Sequence, residues 1–297
     1  MSTHDTNLKS AVNLYKDRVT TISSCAERIS SFAPDKMVRN IWQDHHLIWS
    51  LAKRDIYSRY GDSLLGYFWL FASPLTTLVV YTVVFGFIMR VPLQEGAGMK
   101  GYALSLFCGF LPFWLFSETL SSSTTIILSR ANYVKKISFP VENLPISLLL
   151  SAIFNSLAAL TILLIASFLL TGEIKATIMY LPLGYLALLP LTLGLAWIVS
   201  TLGVFFRDSR HIVALGLQLL FFLTPIIYPV TIVPESLRSL FKLNPLTIAV
   251  DLFRRSILLG VEPEWGYFLY SLTLGLIVLF VGYYCFMKKK LMFADVL

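Results

Sequence analysis

Long apolar runs separated by short polar segments restrict what this sequence can fold into. Six runs approach the roughly 20 residues that a helix needs to cross the hydrocarbon core of a bilayer. We therefore predict an all-α integral membrane protein with six transmembrane helices per subunit. The fifth run is short and bounded by proline, which predicts a broken or tilted helix. The predicted spans are 65–89, 102–128, 144–170, 178–206, 212–228 and 267–287.

The composition favours a membrane protein over a soluble one. Charged residues make up 14% of the chain, against about 25% in soluble domains. Cys25, Cys108 and Cys285 are far apart and form no CxxC or Cys/His cluster, so neither a disulfide framework nor a metal site is predicted. The first forty residues contain no long apolar stretch, so we expect no cleavable signal peptide.

The distribution of lysine and arginine predicts the orientation. With the N-terminus in the cytoplasm, seventeen of the 24 basic residues fall on inner segments. Cytoplasmic loops of membrane proteins carry such an excess, so we predict that both termini are cytoplasmic. The net charge of +7 then reflects these loops and does not indicate a nucleic-acid partner. The seven outer basic residues are Arg90, Lys100, Lys175, Arg238, Lys242, Arg254 and Arg255.

Four regions follow from this reading. They are a cytoplasmic N-terminal extension, an interfacial amphipathic helix, a six-span transmembrane domain and a cytoplasmic tail, at 1–38, 39–64, 65–287 and 288–297. Within the extension, apolar residues between 8 and 29 alternate at steps of four and three, which is a heptad seam. Such a helix either docks on a partner or a symmetry mate, or lies on the membrane or on its own domain.

Two segments flank the first spans on the predicted inner side. Residues 40–60 mix tryptophan and isoleucine with Lys53, Arg54, Arg59 and Tyr60, which suits a helix in the plane of the interface. The basic segment 130–140 ends in a proline that opens the next helix. It is either an ordinary inner loop or a short helix presented to a cytoplasmic partner.

The segment 229–266 on the predicted outer side is too apolar for an ordinary loop. It contains two helical apolar patches, each too short to span, which are separated at Asn244 and Pro245. Irregular segments at membrane depth are tolerated only where they pack on protein or line a cavity. We therefore predict re-entrant helices between spans 5 and 6, near the mouth of a pathway.

Motifs for catalysis are absent from the sequence. It contains no GxxxxGK[ST], GxSxG or HExxH pattern, so no ATP site and no catalytic or metal-binding residues are predicted. Glu118 is the one acid predicted inside a span. Ionisable groups at that depth face the interior of the bundle, where Glu118 serves either a structural ion pair or a transport pathway.

Seven stretches in the same order resemble the type-2 ABC transporter permeases of the polysaccharide-export family, whose members export O-antigen or teichoic acid. The resemblance covers about residues 40–297. The stretches are KRDIYSRY at 53–60, SLLGYFW at 63–69, FWLFSE at 113–118, NYVKKISFP at 132–140, TPIIYP at 224–229, NPLT at 244–247 and FADVL at 293–297.

This resemblance implies a permease with no cofactor of its own. Two copies would form the pore in the bacterial inner membrane, and two P-loop ATPase subunits would bind ATP and Mg²⁺. The cargo would be a lipid-linked polysaccharide on an undecaprenyl-type carrier, with an outer gate at Asn244, Pro245 and Arg254. The ATPase-coupling residues would be Asn132, Tyr133, Val134, Lys135, Lys136, Ile137, Phe139 and Pro140.

Several alternatives remain open at this point. Arg54 and Arg59 would attract the pyrophosphate of the carrier lipid, or would anchor the helix to anionic lipids. The chain would otherwise be a membrane-embedded glycosyltransferase or lipid-carrier enzyme, although its outer acids form no catalytic pattern. An ion-coupled carrier would show inverted repeats and several buried charges, and an ABC permease for a drug or small lipid is the last alternative.

Overall fold

The computed structural model describes residues 34–61, 63–89, 98–134 and 139–296, and every regular element in these ranges is helical. The heptad seam at 8–29 lies outside them. The helices are α1 (Pro34–Gln43), α2 (His45–Tyr60), α3 (Trp69–Tyr81), α4 (Gly98–Ser123), α5 (Ile126–Ser129), α6 (Ala131–Val134), α7 (Asn143–Thr171), α8 (Leu181–Phe205), α9 (Ser209–Leu223), α10 (Glu235–Lys242), α11 (Pro245–Arg254), α12 (Trp265–Lys289) and α13 (Phe293–Val296).

Five helical segments of the described chain are long and apolar enough to cross a membrane. They correspond to the first, second, third, fourth and sixth predicted spans, so a multi-pass all-helical protein is confirmed. Helix α3 reaches span length because it continues as a π-helix over Thr82–Ile88. The segments are Gly66–Ile88, Lys100–Ser123, Asn143–Thr171, Ala176–Phe205 and Trp265–Met292.

The predicted fifth span differs from the structure. Helix α9 has 15 residues and ends at Leu223, whereas the apolar run continues to residue 228. Thr224 is extended, with φ −104° and ψ 127°. It precedes Pro225, whose ring disfavours the helical conformation of the residue before it. Hydrophobicity therefore continues for five residues beyond the point where helical hydrogen bonding stops.

Helix α4 lies at the centre of the bundle and packs against α7, α8 and α11. Leu106 points to a different side of α4 from Leu111 and Leu115, yet all three are almost fully buried, because these neighbours surround the helix. Helix α3 is the opposite case, with Val79 and Phe87 60% and 63% exposed. The bundle therefore leaves its first span largely uncovered by the rest of the chain.

Helices α8 and α12 pack along each other through glycine. A Cβ atom placed on Gly282 would collide with the carbonyl oxygen of Gly194, and one on Gly194 would collide with the carbonyl of Val278. Small residues let membrane helices approach closely, which increases van der Waals contact where water supplies no driving force. This contact fixes the last span against the fourth.

The predicted interfacial helix 39–64 is two helices, with a turn at Asp44 between α1 and α2. One face of α2 is buried, and it packs on α7. The buried residues of α2 are Ile48, Leu51, Ala52, Ile56 and Tyr60. Spacings of three and four residues place them on one side of the helix, so α2 covers the end of the bundle, which we call the α2 end.

The predicted cytoplasmic tail also packs on the α2 end. Phe293 is fully buried, and its ring lies 5.3 Å from that of Phe286 and 6.0 Å from that of Phe205. The Lys290 ammonium lies 2.5 Å from a carboxylate oxygen of Glu142, whose side chain is 3% exposed. The tail is therefore part of the folded bundle.

We predict that Gly282→Ala lowers the stability of the protein, because the added methyl group must separate α8 from α12. Overpacking of this kind costs about 1–3 kcal/mol. Gly266→Ala on the same helix is the matched control, since a Cβ atom there meets no atom within 4 Å. The measurement is the fraction of full-length protein that stays monodisperse after heating. Equal heat resistance of the two variants would contradict the close contact.

Candidate functional site

A cavity in the described structure, which we call the groove, has a volume of about 830 Å³ and lies between α3, α4, α7 and α9. Trp69 and Trp114 contribute aromatic rings to its wall, and Ser73, Thr77 and Ser156 contribute hydroxyl groups. The groove is open on one side. Its wall therefore combines aromatic faces with small hydrogen-bonding groups along the length of the bundle.

The α2 end of the groove carries a cluster of polar side chains. Arg59 donates a hydrogen bond to Glu118 Oε1, to which Asn155 Nδ2 also donates at 2.7 Å. The Tyr60 hydroxyl donates to Asn155 Oδ1 at 3.3 Å. Burial raises the pKa of Tyr60, which keeps this hydroxyl protonated. Glu118 thus forms an ion pair with Arg59 and also lines the groove, and its role in a transport pathway stays a prediction.

A second polar cluster joins α2 to the segment that follows α4. Arg54 Nη1 donates to the Tyr133 hydroxyl at 2.6 Å, and its guanidinium carbon lies 5.3 Å from the centre of the Tyr133 ring. Asp55 pairs with Arg130, and both side chains are 11% exposed. Ser147 Oγ donates to the second Asp55 oxygen at 3.2 Å. Helix α2 is thereby linked to α6 and to α7.

Asp55 and Arg130 were not predicted as site residues. The sequence does show Asp55 as the single acid within the basic stretch KRDIYSRY. Its partner, Arg130, lies 75 residues away, so the sequence did not identify the pair. Burial lowers the pKa of Arg130, although Asp55 opposes that shift. The pair needs both members, because a charge left alone in a buried position is strongly unfavourable.

The predicted ATPase-coupling residues are partly described. Asn132 is exposed, Pro140 is buried, and the rings of Tyr133 and Phe139 lie 4.9 Å apart. Lys135, Lys136 and Ile137 lie outside the described residues, as does the side chain of Val134. Lys53 is exposed on α2, with its ammonium 5.4 Å from the centre of the Trp49 ring.

The three residues of the predicted outer gate meet where the chain leaves α9. Asn244 caps α11 through its Oδ1, which accepts from the Leu246 amide at 3.0 Å, and its Nδ2 donates to Thr224 Oγ1 at 3.1 Å. Pro245 is the first residue of α11, a position that suits its missing N–H. The structure therefore places Asn244 and Pro245 where the start of α11 contacts the end of α9, and this contact is a junction between the two helices.

Arg254 ties this junction to α4. Its guanidinium donates to the carbonyl oxygens of Ser105, Pro225 and Ile226 at 3.2, 2.8 and 2.7 Å. Backbone carbonyls that no helix satisfies are costly in an apolar environment. Arg254 therefore stabilises the turn after α9 while it joins α11 to the central helix.

No group of three or more His, Cys, Asp or Glu side chains in the described ranges is arranged to hold a metal ion. The polar contacts of the groove join helices to one another. The groove wall offers a ligand many weak contacts and no reactive group. The hydrogen bonds and ion pairs of α2 connect the α2 end of the bundle to this wall.

We predict that Asp55→Asn destabilises the protein by about 3 kcal/mol, because Arg130 then stays buried without a counter-charge. The expected fall in apparent unfolding temperature is roughly 6–12 °C, measured by heating the purified full-length protein. Glu173→Gln, an exposed acid after α7, serves as the control and should unfold at the wild-type temperature. An Asp55→Asn protein that unfolds like the wild type would show that the buried pair contributes nothing.

Comparisons with known proteins identify the family. The ABC-2 type transporter family matches residues 46–259. The O-antigen export system permease protein RfbA of Klebsiella pneumoniae is 30% identical over 265 residues, covering 88% of this chain and 99% of that protein. A protein of the same name from Myxococcus xanthus is 32% identical over 213 residues, covering 71% and 80%.

A further relative is the polysialic acid transport protein KpsM of Escherichia coli. It is 27% identical over 240 residues, which cover 78% of this chain and 89% of that protein. The family match extends over most of the chain and includes α2, the groove and the junction at Arg254. The resemblance seen in the sequence is therefore confirmed, and the chain belongs to the ABC-2 type transporter family.

Proposed function

We propose that this chain is the membrane-spanning permease subunit of an exporter that moves a lipid-linked polysaccharide, such as O-antigen, across the bacterial inner membrane. A separate P-loop ATPase supplies the energy and binds ATP and Mg²⁺. The observation that carries the proposal is the groove of about 830 Å³, set in a chain that matches an O-antigen export permease over nearly its whole length.

The wall of the groove suits a carbohydrate polymer. The rings of Trp69 and Trp114 offer flat apolar faces to the apolar faces of sugar rings, and Ser73, Thr77 and Ser156 exchange hydrogen bonds with sugar hydroxyls. The paired charges at the α2 end compensate each other. Transport requires contacts that are favourable but individually weak, and a wall without a strong net charge meets that requirement.

A second copy of the chain closes the groove in this proposal. Helices α3 and α9 both line the groove, and both expose apolar side chains, among them Val79 on α3 and Ile212 and Leu215 on α9. Apolar surface of this kind meets lipid or another protein. In the dimer it faces the partner copy, so that two open grooves form one enclosed pathway.

The proposed membrane arrangement has six crossings with both termini in the cytoplasm. Helix α9 and the turn that follows it, to residue 228, make the fifth crossing together. Helices α10 and α11 then re-enter the outer side, where Asn244, Pro245 and Arg254 form the gate. This arrangement is supported by the excess of basic residues on the α2 side and by the short lengths of α10 and α11.

Energy reaches the groove through α2 in this mechanism. The ATPase presses on the segment 131–140, and the Arg54–Tyr133 and Asp55–Arg130 contacts pass the movement to α2. Arg59, one turn further along α2, then shifts Glu118 and the groove wall. Arg54 also remains available to attract the pyrophosphate of the carrier lipid.

The first test is co-expression of the chain with the ATPase encoded beside it. We expect a stable complex in which ATP hydrolysis depends on this chain, and an export defect when the chain is deleted. If no ATPase co-purifies and export of surface polysaccharide is unchanged, the proposal is wrong.

We predict that Trp69→Ala reduces polysaccharide export several-fold at wild-type protein level, because a stacking surface of the groove is lost. Loss of one sugar-stacking contact is worth about 1 kcal/mol, or roughly fivefold. Phe168→Ala removes a comparably exposed ring on α7 away from the groove and should leave export unchanged. The measurement is surface polysaccharide per unit of permease, and equal export by both variants would contradict the assigned pathway.

We predict that Arg54→Gln uncouples the transporter, because it removes the guanidinium that contacts Tyr133. ATP hydrolysis by the purified complex should continue while export falls. Lys53→Gln, one residue away and exposed to solvent, is the matched control. A parallel loss of hydrolysis and export would instead place Arg54 in assembly of the complex.

A further inference from the structure

A second cavity, of about 200 Å³, lies away from the groove at the junction of α10, α11 and the start of α12. We call it the junction pocket. Lys242, Asp251, Arg255, Glu264 and Tyr267 line it, and none of these residues lines the groove. Two cations and two carboxylates therefore meet in a small space that the transport mechanism does not use.

Arg255 fixes the two carboxylates of the junction pocket. Its Nε donates to Asp251 Oδ2 at 2.5 Å, and its Nη2 donates to Glu264 Oε1. Its third nitrogen, Nη1, lies 3.3 Å from the Glu262 carbonyl oxygen. Each nitrogen of the guanidinium thus has an acceptor within the protein, while each carboxylate keeps a second oxygen that can accept from a ligand.

Two other groups in the junction pocket lack a protein partner within the described chain. No carboxylate there pairs with the Lys242 ammonium. Thr247 lines the pocket and is 6% exposed, yet its hydroxyl makes no hydrogen bond to any described residue. The Lys242 ammonium is therefore the basic group of the junction pocket that remains unpaired with any carboxylate of the described chain.

Another, more open cavity with an apolar wall lies beside the junction pocket, at the start of α12. This neighbouring cavity of about 380 Å³ shares Glu264 and Tyr267 with the pocket, and its wall also includes Leu243, Trp265 and Tyr270. Trp265 and Leu243 are 49% and 46% exposed. Tryptophan and tyrosine at the ends of membrane helices lie at the level of lipid headgroups. A charged pocket that opens onto an apolar wall at this level has the polarity of one lipid molecule.

We propose that the junction pocket and this apolar wall bind a phospholipid whose headgroup carries both a phosphate and a primary ammonium. The phosphate contacts Lys242, the ammonium donates to the free oxygens of Asp251 and Glu264, and an acyl chain follows Trp265 and Tyr270. The paired charges of the pocket match a zwitterion. A primary ammonium donates three hydrogen bonds, as a lysine does, whereas a trimethylated one donates none.

The test measures lipid binding by the full-length chain without the ATPase, so its outcome is independent of transport. Native mass spectrometry follows the protein in detergent with equal amounts of phosphatidylethanolamine, phosphatidylcholine or phosphatidylglycerol. We expect phosphatidylethanolamine to bind about tenfold more tightly than the other two, which corresponds to the loss of one charge-assisted hydrogen bond.

Matched variants assign that preference to the junction pocket. Lys242→Ala and Asp251→Asn should each weaken phosphatidylethanolamine binding about tenfold. Lys100→Ala and Glu235→Gln, which remove charges at exposed residues away from the pocket, should leave it unchanged. Because Lys242 makes no ion pair with a described residue, its removal does not endanger folding, and the test does not depend on the Asp251 variant.

Three results would overturn the proposal. Equal binding of the three lipids would remove the headgroup selectivity, and wild-type binding by Lys242→Ala would place the lipid elsewhere. Displacement of the lipid by a neutral trisaccharide such as maltotriose, with loss of that competition in Lys242→Ala, would make the junction pocket a carbohydrate site.

Discussion

The need to satisfy backbone hydrogen bonds in an apolar environment governs this structure. Within continuous helices the backbone N–H and C=O groups pair with one another. Where α9 ends, the backbone carbonyl oxygens need a side chain as donor. Arg254 provides that help, because its guanidinium donates to carbonyl oxygens on the turn after α9 and on α4. Together with the buried apolar face of α11, these contacts hold α11, and with it the junction pocket, in position.

Charge is used at the two ends of the bundle in different ways. At the α2 end, Arg59–Glu118 and Asp55–Arg130 join a helix outside the bundle to helices within it. At the other end, Arg255 orders two carboxylates around a cavity. Ion pairs in such surroundings lose much of their attraction to desolvation. Their contribution is to fix which helix lies beside which, and this is what a moving transporter requires.

The sequence predicted the parts of the fold that depend on local signals. Apolar run length located five spans, and Asn244–Pro245 located the boundary of α11. The end of α9 was missed, because hydrophobicity does not record where Pro225 interrupts hydrogen bonding. The Arg59–Glu118 and Asp55–Arg130 pairs were missed as pairs, since their members lie 59 and 75 residues apart and no spacing rule connects them. The junction pocket depends on three helices at once, so it has no sequence signal.

The docked tail has a consequence for biogenesis. Glu142 begins to be buried when α7 packs, but its counter-charge, Lys290, is synthesised 148 residues later. Until Lys290 is present, the Glu142 carboxylate lacks this counter-charge in apolar surroundings, and the space that the Phe293 ring fills is empty. The segment after α12 therefore supplies a charge and an aromatic ring that the earlier helices need, so their packing is completed only when Lys290 and Phe293 are in place.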